Sequence, residues 1–176
     1  MCGEPLVERL RRVAPARPDF VVLREPDLDD AEYAGLFAGC RDVLAPYGIP
    51  LTAHSHPRVA DGWMWLPFSK CHMYDKHKFV SVHSAEEAEQ VVGADYVVAG
   101  NIFETPCKPG APARGLEFLR GIVRTVPRPV LAIGGITPEN ARSCAAAGAA
   151  GVCVMTSVMT NPDPAGLVMR VKEVLK

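Results

Sequence analysis

The 176 residues make one domain's worth of chain, with the 48% hydrophobic and 22% charged residues of a soluble globular protein. A net charge of −1 without long basic or acidic runs excludes general electrostatic attraction to nucleic acid or to an anionic membrane. No stretch approaches the roughly 20 apolar residues of a membrane span, and charges interrupt MCGEPLVERLRRVAP where a signal peptide would be apolar; a cytoplasmic protein with a single barrel domain over residues 1–176 is expected.

The chain opens on a helical pattern, PLVERLRRVA. FVVLRE reads as a strand before DDAEYAGLFAGCRDVLAPYG, in which Leu36, Phe37, Cys40, Val43, Leu44 and Tyr47 recur at helical spacing. PLTAH is a second strand, and a short connection leads to a third, MWLPF. KFVSVH runs into SAEEAEQVV, where Ser84 and Glu87 have capping-box spacing. YVVAGNI ends in the loop GNIFETPCKPG and precedes the helical GLEFLRGIVRTV. PVLAIGG precedes TPENARSCAAAG, with Thr137 as N-cap, Pro138 at the first helical position and Gly148 as the stop. GVCVMTS precedes DPAGLVMRVKEVLK, again opened by an Asp-Pro cap. Seven strands are expected near 20–24, 50–54, 64–68, 78–83, 96–102, 129–133 and 151–156. They are apolar almost throughout, as parallel strands covered on both faces are.

Repeated β-α units leave an open doubly wound sheet or a TIM (β/α)8 barrel. The strand ends favour the barrel, because Arg24, His54, Ser69, Ser81, Asn101, Gly134, Gly135, Thr156 and Ser157 would all converge on one mouth. Gly134 and Gly135 let backbone N–H groups approach a ligand, and Thr156 and Ser157 add hydroxyls, between the two loops where barrels often hold phosphate. Seven strands fall short of eight, and the helical opening implies that the first strand is lacking or truncated. Such a gap exposes strand edges, so a homo-oligomer is expected.

Six cysteines, Cys2, Cys40, Cys71, Cys107, Cys144 and Cys153, form no C-x-x-C pair, which argues against disulfides, and Cys40, Cys144 and Cys153 read as reduced core thiols. The cluster Cys71-His72-Met73-Tyr74-Asp75-Lys76-His77, even with His54 and His56, matches no zinc spacing, and no metal site is expected.

From Ser81 to Val158 the chain resembles the thiamin phosphate synthase/TenI family, through SVHSAEEA, ADYVVAGNIFETPCKPG, GLEFL, AIGGITPEN and AGAAGVCVMTSV in that order. VVLREPDL resembles the family's earlier Gln-Leu-Arg-x-Lys strand end. The resemblance implies the barrel independently and makes the first clear strand the family's second. It implies two activities. Synthases join a pyrimidine pyrophosphate to a thiazole phosphate with magnesium on the pyrophosphate; TenI-type tautomerases aromatise a thiazole carboxylate phosphate by moving a proton. Both imply a small phosphorylated thiazole ligand at Gly134, Gly135, Thr156 and Ser157.

The synthase pattern is incomplete: Arg24 is kept, but the glutamine and lysine around it are lost. His54-Ser55 replaces an Asn-Asp pair, and MWLPFSKC lacks the second magnesium aspartate. The wording Phe-Glu-Thr-x-Cys-Lys leans toward the TenI type, so a TenI-like thiazole tautomerase without cofactor is the expected function. The alternatives are a non-catalytic phosphorylated-ligand binding or regulatory member, and a divergent synthase. Asn101 stands where the TenI-type proton-transfer histidine would be, and an amide does not exchange a proton near pH 7. His54 or Cys107, the latter activated by Lys108, would then move the proton. Arg24, Ser81, Asn101, Thr105 and Lys108 are expected to contact substrate, His83 to support a strand end, and Glu104 to face solvent or pair with Lys108.

Overall fold

A computed structural model describes residues 3–60 and 62–176, so Cys2 lies outside the described residues. Seven parallel strands form one curled sheet in the order of the chain: β1 (Val21–Leu23), β2 (Leu51–His54), β3 (Trp63–Pro67), β4 (Lys78–Val82), β5 (Tyr96–Gly100), β6 (Val130–Ile133) and β7 (Gly151–Cys153). Each pairs only with its neighbours in sequence, so β1 and β7 are the two edges among the described residues. This is a TIM-like α/β sheet left open between its edges, not the closed eight-stranded barrel. The helices are α1 (Leu6–Val13), α2 (Asp30–Leu44), α3 (Ala85–Glu89), α4 (Gly115–Thr125), α5 (Pro138–Ala146), α6 (Thr156–Thr160) and α7 (Pro164–Val174). None is long and apolar enough to cross a membrane among the described residues.

The two-residue period of each strand sorts the apolar side chains into two layers. One set faces the helices. Val80, Val82, Val97, Ala99, Val130 and Ala132 pack with Leu119 and Ile122 of α4, Cys144 of α5 and Leu167 of α7. In the first half, Leu23, Ala53, Met64 and Leu66 pack with Leu10 of α1 and with Tyr33, Phe37, Cys40 and Leu44 of α2. The other set fills the concave side around Trp65, Phe79 and Val98, with Phe20, Val22, Leu131, Ile133 and Cys153 against them. Full burial of such a side chain stabilises by roughly 1.5–3 kcal/mol, so both layers matter to the fold.

α1 touches both α2 and α7, which continues the helical layer across the two edge strands. Its buried Arg9 donates to the Asn161 carbonyl at 2.7 Å and pairs with Glu4 at 2.8 Å. The β3–β4 connection is held by the buried Lys78, whose Nζ donates to the Cys71 and Tyr74 carbonyls at 2.7 Å each. Two expected boundaries shift. α3 stops at Glu89, short of the Gln90-Val91-Val92 reading, ahead of Gly93 at φ +68. β7 stops at Cys153, so Thr156 and Ser157 open the one-turn α6 instead of ending a strand.

Candidate functional site

The carboxyl ends of the strands carry two groups of polar residues. The first lies at β1 and β2. Arg24 follows β1 and is exposed, while His54 ends β2 half-buried, with its ring 6.3 Å between centroids from Trp65. Tyr33, on the first turn of α2, donates its hydroxyl hydrogen to the Leu23 carbonyl at 2.7 Å and accepts from the His54 N–H at 3.1 Å. Trp65 in turn donates from Nε1 to the Ser81 hydroxyl at 2.7 Å, so Ser81 is tied to the aromatic wall.

Burial, and then the Arg24 charge, lower the His54 pKa to about 4, which leaves the ring neutral at pH 7. The sign of the consequence follows from linkage. As pH falls, the unfolded imidazole gains its proton near 6.5 and the folded one only near 4. Stability is therefore independent of this group above 6.5, declines between 6.5 and 4, and levels off below. Denaturant titrations at pH 7.5 and 4.5 are expected to show a loss on the order of 2 kcal/mol that His54→Gln lacks, after allowance for solvent screening.

The second group joins the loops after β5, β6 and β7. His83 places Nδ1 2.8 Å from the Gly100 carbonyl and donates its N–H to Glu87 at 2.6 Å, holding the ends of β4 and β5 together. Asn101 is buried at 5% exposure, and its amide makes long contacts with the Phe103 and Pro112 carbonyls at 3.4 and 3.5 Å. The β5 loop lies directly on the β6 loop: Phe103 N–H donates to the Gly134 carbonyl at 3.0 Å. A Cβ on Gly134 would sit 2.5 Å from the Asn101 Cβ, and one on Gly135 would sit 2.3 Å from the Glu104 carbonyl oxygen. Both glycines also have positive φ, +97 and +65. The pair is thus demanded by loop-on-loop packing.

Cys107 brings its Sγ to 2.8 Å from the Thr156 hydroxyl, bridging the β5 loop and α6. Thr105 accepts from the Cys107 N–H at 3.3 Å, and Ser157 donates to the Ile136 carbonyl at 3.3 Å. Lys108 and Glu104 are exposed. Asn140, which sequence reasoning passed over, donates to the Gly135 carbonyl at 2.8 Å and accepts from the Thr137 N–H at 2.8 Å. Its signal was present: it stands at capping-box spacing from Thr137. Tyr33 and Trp65 were also passed over, and nothing in an aromatic on an apolar helix or strand distinguishes them from core.

A curled parallel sheet with its polar residues gathered at the strand carboxyl ends defines a TIM-barrel-type protein. Residues 70–158 match the thiamine monophosphate synthase family. The thiamine-phosphate synthase of Syntrophomonas wolfei is 30% identical over 188 residues, spanning 98% of this chain and 90% of that one. That of Roseiflexus castenholzii is 51% identical over 88 residues, 48% of this chain and 39% of that one. The solved thiamine phosphate pyrophosphorylase of Pyrococcus furiosus superposes with a TM-score of 0.85 at 28% identity, covering 98% of this chain and 90% of that one. The chain belongs to the thiamine monophosphate synthase family.

These matches overturn the tautomerase expectation. It rested on one loop, Phe-Glu-Thr-x-Cys-Lys, and on departures at three strand ends, whereas likeness to proteins named as synthases runs through nearly the whole chain. The proton-moving roles assigned to His54 and Cys107 fall with it. The magnesium that the family resemblance implies needs hard oxygen ligands. The corresponding strand ends offer a cation, a neutral imidazole, a hydroxyl and one carboxylate, in Arg24, His54, Ser55 and Glu25, where the resemblance implies two aspartates. Among the described residues no three His, Cys, Asp or Glu side chains gather. The residues present do not fit the ion.

Proposed function

We propose that this protein is a divergent thiamine-phosphate synthase, joining a pyrimidine pyrophosphate to a thiazole phosphate. The observation that carries the reading is the likeness to a synthase across 98% of the chain, first half included. In this reading Gly134, Gly135, Thr156 and Ser157 hold the thiazole phosphate, with Thr105 and Cys107 closing over it from the β5 loop. Arg24 and Lys108 face the pyrophosphate, whose negative charge grows as it leaves and is stabilised by fixed cations. Ser81 and Asn101 shape the wall between the two ends. The same reading takes residues 1–176 as one cytoplasmic domain working as a homo-oligomer that covers the β1 and β7 edges.

Genetic rescue is the test. The gene is expected to restore thiamine-independent growth to a bacterial strain lacking its own thiamine-phosphate synthase, and the Arg24→Ala variant is expected to fail. No rescue by well-expressed, folded wild-type protein counts against the synthase reading.

A further inference from the structure

We propose that Tyr33 is a positioning residue for the pyrophosphate end of the site, its single hydroxyl fixing where β1 and β2 release Arg24 and His54 into the mouth. What the released residues touch rests on the synthase reading above; the pin itself is a matter of geometry.

The β1–β2 ladder ends at the pair Leu23 and Ala53. At the next step the strands are joined not by each other but by the Tyr33 hydroxyl, which gives its hydrogen to the Leu23 carbonyl and takes one from the His54 N–H. One oxygen thus satisfies the last carbonyl of one strand and the first free amide of the other, and the chain is free to turn outward at Arg24 and His54. Tyr33 has no exposed surface and Leu23 is buried, so the carbonyl does not turn to water in exchange.

The ring that carries the hydroxyl is fixed from several sides. It stacks on His56 at 3.8 Å between centroids and 17°, and on Phe37 at 6.2 Å and 25°. His56 is anchored by Asp30 at 3.1 Å, which also pairs with Arg58 at 3.5 Å. The turn bearing Tyr33 is locked by the Asp29–Glu32 capping box, with Asp29 accepting from the Ala31 and Glu32 N–H groups at 2.9 and 2.8 Å. Burial pushes the phenol up to about 12, so it keeps the hydrogen that Leu23 requires. No part of this arrangement reaches the glycine end of the site, which is built on β5, β6 and α6.

The test is Tyr33→Phe, which keeps the ring and removes both bonds. Well below its unfolding temperature, the variant is expected to lose at least tenfold in kcat/KM for the pyrimidine pyrophosphate. Its KM for the thiazole phosphate should stay within twofold, and the His54 ring resonance should shift in the proton NMR spectrum. A lower melting temperature with kcat/KM for the pyrimidine pyrophosphate and the His54 resonance both unchanged would make the hydroxyl merely structural and overturn the proposal. Should Tyr33→Phe not fold, His56→Ala, which removes the stacking face, carries the test: a rise confined to the pyrimidine pyrophosphate KM supports the pin, and equal or absent changes overturn it. If the wild type forms no product, the synthase reading fails alone. The pin is then decided by the His54 resonance, where an unshifted signal in either folded variant contradicts it.

Discussion

Gly135→Ala is expected to destabilise the fold by about 3 kcal/mol or more and to abolish phosphate binding at the β6 end. Two causes add. The residue sits at φ +65, where a side chain costs roughly 1–2 kcal/mol, and its Cβ would lie 2.3 Å from the Glu104 carbonyl oxygen and 2.8 Å from the Phe103 Cβ. The nearest obstacle is backbone, so the whole β5 loop must move, carrying Thr105 and Cys107 away from Thr156. Gly110 provides the control. It has φ +76, yet nothing lies within 4 Å of an added Cβ, so Gly110→Ala should show the conformational strain alone. At about 2–4 °C per kcal/mol for a chain of this size, calorimetry should separate the two variants by several degrees. Equal losses in the two would mean that the loops are not in contact as described.

Arg24→Ala is expected to reduce kcat/KM for synthesis by about 100-fold or more while leaving the melting temperature almost unchanged. Losing a fixed cation from a developing oxyanion typically removes two to three orders of magnitude. An exposed side chain at a strand end, by contrast, contributes within about 0.5 kcal/mol of stability. The combination is diagnostic, because a structural arginine would move both quantities. Arg24→Lys should recover only part of the activity, since an ammonium keeps the charge but not the planar fork that matches phosphate oxygens. Synthesis at wild-type rates by Arg24→Ala would remove this residue from the site.

Much of the fold was legible because parallel strands covered on both faces leave long apolar runs, and all seven were found within a few residues. α5 was legible from its punctuation, Thr137-Pro138 at one end and Gly148 at the other. What was not legible has physical reasons. α6 is one turn long with no side-chain cap, so Thr156 and Ser157 read as the tail of β7. An apolar run does not say which alternate residues face the helices and which the concave side, because both faces are apolar; Trp65 and Phe79 therefore gave no sign of lining the interior. Tyr33 carries no signal in an apolar helix, and only the fold brings its hydroxyl between Leu23 and His54.

The family was legible from the strand ends themselves, and the activity was not. The two lost carboxylates pointed away from a synthase, and His54 stood out as a proton carrier. Burial beside Arg24 makes it a poor one at neutral pH. The contact of the Cys107 sulfur with Thr156, which links two loops, was not legible either. Sequence alone supplies the residue types; it does not supply these pairings.

The central claim is synthesis, and it is tested most directly by incubating the purified chain with both substrates and following thiamine phosphate and released pyrophosphate together by phosphorus NMR. The account predicts that the two products appear in equal amounts and that Arg24→Ala suppresses both. Binding of the thiazole phosphate with neither product formed, at millimolar substrates with magnesium present, would contradict it.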